Sequence, residues 1–204
     1  PVDDSLPAKT PRAAGTRVGS SGSFPYTDGR EPTSRTDGEG HKTTYAYDAE
    51  GNVTSVTDPL HRTTSATYTA RNDPETVTDA RGTTTTYSYD SSGNLTAIAR
   101  PLTSSGETAT EHFFYDDAAH PGDVTALTDA DGKSWHYSYD QYGNRISETD
   151  PEGDKTTASY DPAGRVSDVV APRGNASGAN AADYTTHFEY DAAGDLTRVV
   201  DAYA

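Results

Sequence analysis

The side chains with the most chemistry to offer in this 204-residue sequence are 32 acidic residues and 14 tyrosines. Carboxylates act in pairs as acid and base, or in clusters as ligands for hard cations. Asp129, Asp131 and Asp150 raise the second option, because calcium takes carboxylate and carbonyl oxygens. The Asp-x-Asp-Gly around them lacks the rest of a helix-loop calcium site, including a distant bidentate glutamate, so they are read as turn aspartates. The six histidines show no ligand spacing such as His-x-x-x-His. His112, His136 and His187 each lie three residues before a tyrosine, which puts them on one strand face as solvated positions. Ser and Asp recur along the whole chain, so no Ser-His-Asp set is singled out. The chain has no Cys, which removes thiolate chemistry and disulfides. No catalytic, cofactor-binding or metal-ligating set is assigned. One pair remains as a candidate for ligand stacking: Trp135, the single Trp, and Tyr137 share a strand face, and an exposed aromatic face suits a sugar ring. Core packing is the competing reading of the same pair.

The tyrosines are ordered. Taken one per unit they fall at Tyr26, Tyr47, Tyr68, Tyr89, Tyr115, Tyr139, Tyr160 and Tyr190, with spacings of 21, 21, 21, 26, 24, 21 and 30 residues. A fixed period of this length marks an array of like supersecondary units. Two residues before the tyrosine stands a second aromatic in most copies: Phe24, Tyr45, Tyr87, Phe113, Tyr137 and Phe188. Side chains two apart share one face of a strand. The residues between them are mostly small or polar, so the unit opens on a half-buried strand with one aromatic face. An Asp-x-x-Gly-Asn turn follows, as in Asp48 to Asn52, Asp90 to Asn94 and Asp140 to Asn144. A second strand then carries apolar residues six and nine positions after the tyrosine, as in Val53 and Val56 or Leu95 and Ile98. A separation of three puts these on opposite faces of a regular strand, so either a bulge intervenes or both faces are partly covered. A second turn begins eleven residues after the tyrosine, at Asp37, Asp58, Asp79 and Asp150.

Each unit therefore reads strand, turn, strand, turn. The predicted fold is all-β: about eight tandem hairpins in a long, curved or spiralling antiparallel sheet, roughly sixteen short strands in all. Strands are expected near 43–47 and 52–57, 84–89 and 94–99, 134–139 and 145–149. Residues 1–22, rich in Pro, Ala, Gly and Ser, read as an irregular lead-in or linker, and 23–204 as the array. Three departures from register, at His120 to Asp123, Pro101 to Gly106 and Arg173 to Asp183, read as insertions in surface loops. Few aliphatics are present, so the repeat tyrosines are expected to be largely buried and to form a ladder from unit to unit.

Composition closes other options. A net charge of −16 disfavours nucleic-acid phosphates, which require clustered Lys and Arg. No stretch approaches the ~20 apolar residues of a membrane helix. The hydrophobic fraction is 31% and the mean hydropathy −0.84, values typical of disorder, but the strict period argues for folding. The chain has no Met, position 1 included, and is expected to be a segment of a longer protein.

Tyr-Asp-x-x-Gly-Asn-(Leu/Val)-Thr, followed by Thr-Asp-Pro-x-Gly, resembles the YD-repeat or Rhs-repeat family, with the best matches at 47–60, 89–100, 139–153, 160–166 and 190–201. The resemblance covers about residues 24–201. It implies a sheet of successive hairpins that spirals into a hollow shell. Members include Rhs polymorphic toxins, toxin-complex components, bacterial wall-associated proteins and teneurins. The implied role is non-enzymatic: part of a secreted, extracellular or cell-surface β-shell that encloses or displays a toxin or effector. Asp150-Pro151-Glu152-Gly153 and Asp161-Pro162-Ala163-Gly164 are similar to the family's self-cleavage motif, but Asp154 and Arg165 follow them and both sit in turn phase. They are read as turns. The expected partners are flanking repeats or copies of the chain joining at open sheet edges, an enclosed toxin domain, or a cell-surface glycan. A glycan-binding module and a self-assembling extracellular fibre subunit stay open as alternatives.

Overall fold

A computed structural model describes residues 31–102 and 106–202 of the chain. The lead-in expected at 1–22, and Tyr26 with it, lie outside the described residues. The described residues hold fifteen strands, and their only helices are two single turns of 3-10 helix, Pro172–Asn175 and Ala181–Tyr184. The chain divides into two units at Thr64/Ser65. The first contains β1 (Ser34–Thr36), β2 (Lys42–Tyr47), β3 (Val53–Thr57) and the start of β4 (Thr63–Tyr68). The second runs from the rest of β4 through β5 (Pro74–Thr78), β6 (Thr84–Tyr89), β7 (Leu95–Pro101), β8 (Thr108–Phe114), β9 (Ala126–Thr128) and β10 (Ser134–Tyr139). It continues with β11 (Arg145–Thr149), β12 (Lys155–Tyr160), β13 (Val166–Val170), β14 (Thr185–Tyr190) and β15 (Leu196–Val200). Within each unit every strand pairs antiparallel with its neighbour in sequence. The same holds to the end of the chain.

The expected strands are present to within two residues at each boundary. The turns between them share one construction. At Asp90 the backbone N–H donates to the Asn94 carbonyl (2.9 Å) and the Gly93 N–H to the Asp90 carbonyl (3.1 Å). The Asp90 carboxylate accepts from the N–H groups of Ser92 (2.8 Å) and Asn94 (2.9 Å), and its second oxygen from the Asn94 side-chain amide (2.9 Å). One short acid thus satisfies the polar groups of a whole turn. The fourth residue must enter the left-handed region, which Gly93 does at φ 95°. The paired carboxylate bonds recur in the turns between hairpins, at Asp37, Asp58, Asp79, Asp129 and Asp150. Both turns of the repeat are therefore the same module. Thr69 supplies its hydroxyl in place of the carboxylate.

A bulge answers the question left by the three-residue spacing. Tyr47 pairs with Val53 but Ala46 with Ser55, so Thr54 is an extra residue in β3. Tyr45 then faces Val56, and Val53 and Val56 fall on the tyrosine side together. The same shift occurs in the hairpins of Tyr68, Tyr89, Tyr139, Tyr160 and Tyr190.

Burial departs from expectation. The repeat tyrosines from Tyr47 to Tyr190 are half-buried, not largely buried. Ala66 is the only apolar residue classed as buried among the described residues, and no described side chain is fully enclosed. With no described side chain fully enclosed, each of these tyrosines keeps part of its ring toward solvent.

Candidate functional site

The recurring contact of the molecule is a hydroxyl reaching back by one hairpin. Tyr47 donates to the Pro32 carbonyl (2.9 Å), Tyr89 to Pro74 (2.8 Å) and Tyr115 to Leu95 (2.9 Å). Tyr139 donates to Val124 (2.7 Å), Tyr160 to Arg145 (2.8 Å) and Tyr190 to Val166 (2.9 Å). In five of these six the acceptor lies six residues after the preceding repeat tyrosine, near where the second strand begins, and Val124 lies nine after Tyr115, past the insertion at His120 to Asp123. The bulge explains the choice. It turns that residue's side chain toward the tyrosine face, and its carbonyl meets the phenol at the sheet's margin. Burial lifts the phenols of Tyr47, Tyr89, Tyr115, Tyr137 and Tyr139 above their ordinary value. A neutral phenol is what this bond requires, since only the protonated form donates.

Arginines add a second link between hairpins. Arg165 lies over the Tyr190 ring at 4.6 Å, bonds Asp161 through Nε (2.7 Å) and reaches the Asp191 carbonyl (3.3 Å). Arg71 donates to the Ser91 carbonyl in the same way. The hairpin of Tyr139 replaces its apolar pair with Arg145 and Glu148, which form an ion pair at 3.2 Å, and Arg145 lies over Tyr137 at 5.2 Å.

The proposed stacking pair is thus half-covered. Trp135 sits across from Leu127, which also faces Phe113, and Tyr137 carries the Arg145 guanidinium. Both rings are half-buried. His112, His136 and His187 are exposed on the opposite face, as expected, on β8, β10 and β14. No group of three or more His, Cys, Asp or Glu that could hold a metal occurs among the described residues. Asp129 and Asp150 are turn aspartates with their carboxylates on backbone N–H groups. So is Asp161, which places both Asp-Pro-x-Gly stretches in ordinary turns.

One cluster was not visible in the sequence. Asp168 accepts from His187 Nδ1 (2.6 Å) on one oxygen and from the Ser159 (2.8 Å) and Ser167 (2.9 Å) hydroxyls on the other. These bonds hold the Asp168 carboxyl below the usual carboxylate range, His187 foremost. Both serines bond the carboxylate and not the imidazole, so neither has its nucleophile-base contact. The cluster ties β13 to β14 across the insertion that separates them. A second insertion is tied by His120, whose Nδ1 lies 2.9 Å from Asp117 and whose pKa that carboxylate raises.

Architecture and contacts define a tandem β-hairpin repeat array. The chain belongs to the RHS repeat family, whose model matches residues 27–63, 68–105, 122–155 and 142–176. Among solved structures it is similar to a chain of the Photorhabdus luminescens Tc holotoxin pore (17% identity, TM-score 0.61), covering 86% of this chain and 12% of that one. It is also similar to TcdB2-TccC3 without its hypervariable C-terminal region (19% identity, TM-score 0.64), covering 88% of this chain and 10% of that one. At these identities the likeness is one of fold. The chain spans about a tenth of the length of the solved chains it matches. Comparison with curated proteins gives no significant match.

Proposed function

We propose that the chain is a non-enzymatic wall segment of a secreted Rhs-type β-shell that encloses or displays a toxin or effector. The observation that carries this reading is the tyrosine bond to the backbone of the preceding hairpin, made by Tyr47, Tyr89, Tyr115, Tyr139, Tyr160 and Tyr190. A contact that repeats along the chain builds continuous surface; it does not gather residues around one reacting atom. On this reading Tyr26, Tyr47, Tyr68, Tyr89, Tyr115, Tyr139, Tyr160 and Tyr190 are the structural anchors of the array, which begins near residue 23 after a linker. Its partners are the flanking repeats and the enclosed domain. The likeness in fold to chains of Tc toxin assemblies supports it.

A fibre subunit, in which copies of the chain pair through open sheet edges, is the second reading. Light scattering of residues 1–204 in dilute solution, with electron micrographs of the same sample, separates the two. Monomers or small closed assemblies support the wall segment. Filaments that lengthen with concentration replace it with the fibre.

A further inference from the structure

Charged side chains of one hairpin reach beneath the turn of the next. They stand close to where a Cβ on the turn glycine would lie. Glu31 Oε1 is 3.4 Å from that point at Gly51, Arg71 Nη1 3.4 Å at Gly93, Asp123 Oδ2 3.7 Å at Gly143 and Arg165 Nη1 3.7 Å at Gly194. The two guanidinium groups also donate to a carbonyl of the turn they reach, Arg71 to Ser91 and Arg165 to Asp191 (3.3 Å). Asp123 brings a carboxylate to a turn that Asp140 already caps with another. Like charges meet at the junction between the hairpins of Tyr115 and Tyr139, and a cation between them relieves the repulsion.

His120 is placed to be that cation. Its side chain is 14% exposed, whereas the other five histidines are classed as exposed. Within its own insertion, Nδ1 lies 2.9 Å from Asp117 Oδ2, and the Asp123 carboxylate acts on the ring as well. From the next hairpin, the Tyr139 ring lies 6.2 Å away at a tilt of 46°, the Gln141 backbone hydrogen-bonds the imidazole, and Asp140 feels its charge. From the preceding hairpin, the turn that Asp90 caps meets the insertion through the neutral Asn94 amide, which donates to the Pro121 carbonyl (2.8 Å). A neutral imidazole has one N–H, so only the imidazolium donates both to Asp117 and to a backbone carbonyl. These acceptors, Asp117 foremost, raise the pKa of His120 above its ordinary value.

We propose that His120 is a proton-operated clasp between two hairpins. As imidazolium it binds residues 117–123 to the turn from Asp140 to Asn144. Without its proton it leaves Asp117, Asp123 and Asp140 facing one another, and the junction opens locally. The Tyr139 bond to Val124 (2.7 Å) spans the same junction and keeps its proton through the neutral range, so the hairpins loosen without unfolding. A folded-state pKa raised above about 6.5 gives a link that is complete below that value and lost as pH rises through the folded one. Arg71 and Arg165 stay charged throughout, so their junctions do not follow. The clasp does not depend on whether the array is a wall or a fibre.

Hydrogen exchange of residues 1–204 at about pH 5.5 and about pH 8.5, corrected for the intrinsic effect of pH on exchange, tests it. The Asp123 and Gly143 N–H groups donate within their own turns, to His120 and Asp140. Their protection should fall by about tenfold at the higher pH, as a charge-assisted bond is lost. Protection in the turn from Asp48 to Asn52, where Glu31 takes the equivalent place, should hold. The fall should vanish in His120→Gln, which is never charged, and in His120→Arg, which always is; retained protection in β6 and β7 shows both variants folded. By NMR, the His120 ring should titrate at a higher pH than the five exposed histidines. Protection at Asp123 and Gly143 that ignores pH, a fall that persists in His120→Gln, or an equal fall from Asp48 to Asn52 overturns the proposal.

Discussion

A tyrosine in this array works at both ends, as apolar surface on a sheet face and as a donor to the preceding hairpin. The two contributions separate by substitution. Tyr89→Phe keeps the ring and removes the bond to Pro74, and is expected to cost about 1 kcal/mol. Tyr89→Ala removes both. Because the ring is half-buried, its loss is expected at roughly 2–3 kcal/mol, below the cost for an enclosed aromatic. Urea midpoints at constant slope check both values. The turn aspartates act differently, through pH. The Asn52 and Asn144 side-chain amides foremost hold Asp48 and Asp140 below their ordinary value, and backbone N–H bonds foremost do so for Asp37, Asp58, Asp79, Asp90 and Asp161. A depressed folded-state pKa gives stability that is complete above the unfolded value of about 3.9 and lost as pH falls through the folded one. The thermal midpoint should hold steady down to about pH 5 and fall below about pH 4, and Asp90→Asn should shrink that fall. A midpoint flat to pH 2 would show that the carboxylates do not hold the turns.

At the scale of the element, the bulge is the feature that makes the repeat work. Deleting Thr96 leaves Leu95 and Ile98 two positions apart in a regular ladder, still on the face of Tyr89 and Tyr87. The deletion should therefore keep this hairpin folded, seen as hydrogen-exchange protection retained in β6 and β7; loss of protection there would mean that the bulge itself, and not the shared face, holds the pair. The left-handed turn position gives a second test. His61 (φ 60°) occupies it where most turns place Gly, so His61→Gly should stabilise by roughly 0.5 kcal/mol. Strands and turns were legible in the sequence because the Tyr-Asp pairs and glycines carry their own local geometry. The bulge was half-legible: Val53 and Val56 signalled an irregularity but not its kind. Tyrosine burial was misjudged because depth depends on what lies above a sheet, which no period within one strand records. The Asp168 cluster was passed over for the same reason in reverse: Asp168 and His187 are 19 residues apart, and only the pairing of β13 with β14 sets them opposite each other.

At the scale of the whole molecule, stability should be a sum of hairpins and the links between neighbours, because each contact described reaches no further than the next one or two strands. Two consequences follow for hydrogen exchange. Protection should grade along the chain, high in β6 and β7, which have partners on both sides, and low in β15, which pairs only with β14 and is exposed throughout. The links should also be local. Tyr160→Phe removes a bond between β12 and the Arg145 carbonyl at the start of β11. It should lower protection in β10 to β13 by about fivefold, equivalent to about 1 kcal/mol, and leave β6 and β7 unchanged. A variant that lowered protection equally from β6 to β15 would mean the array opens in a single all-or-none step. Nearest-neighbour coupling through the tyrosines would then be the wrong account of what holds the hairpins together.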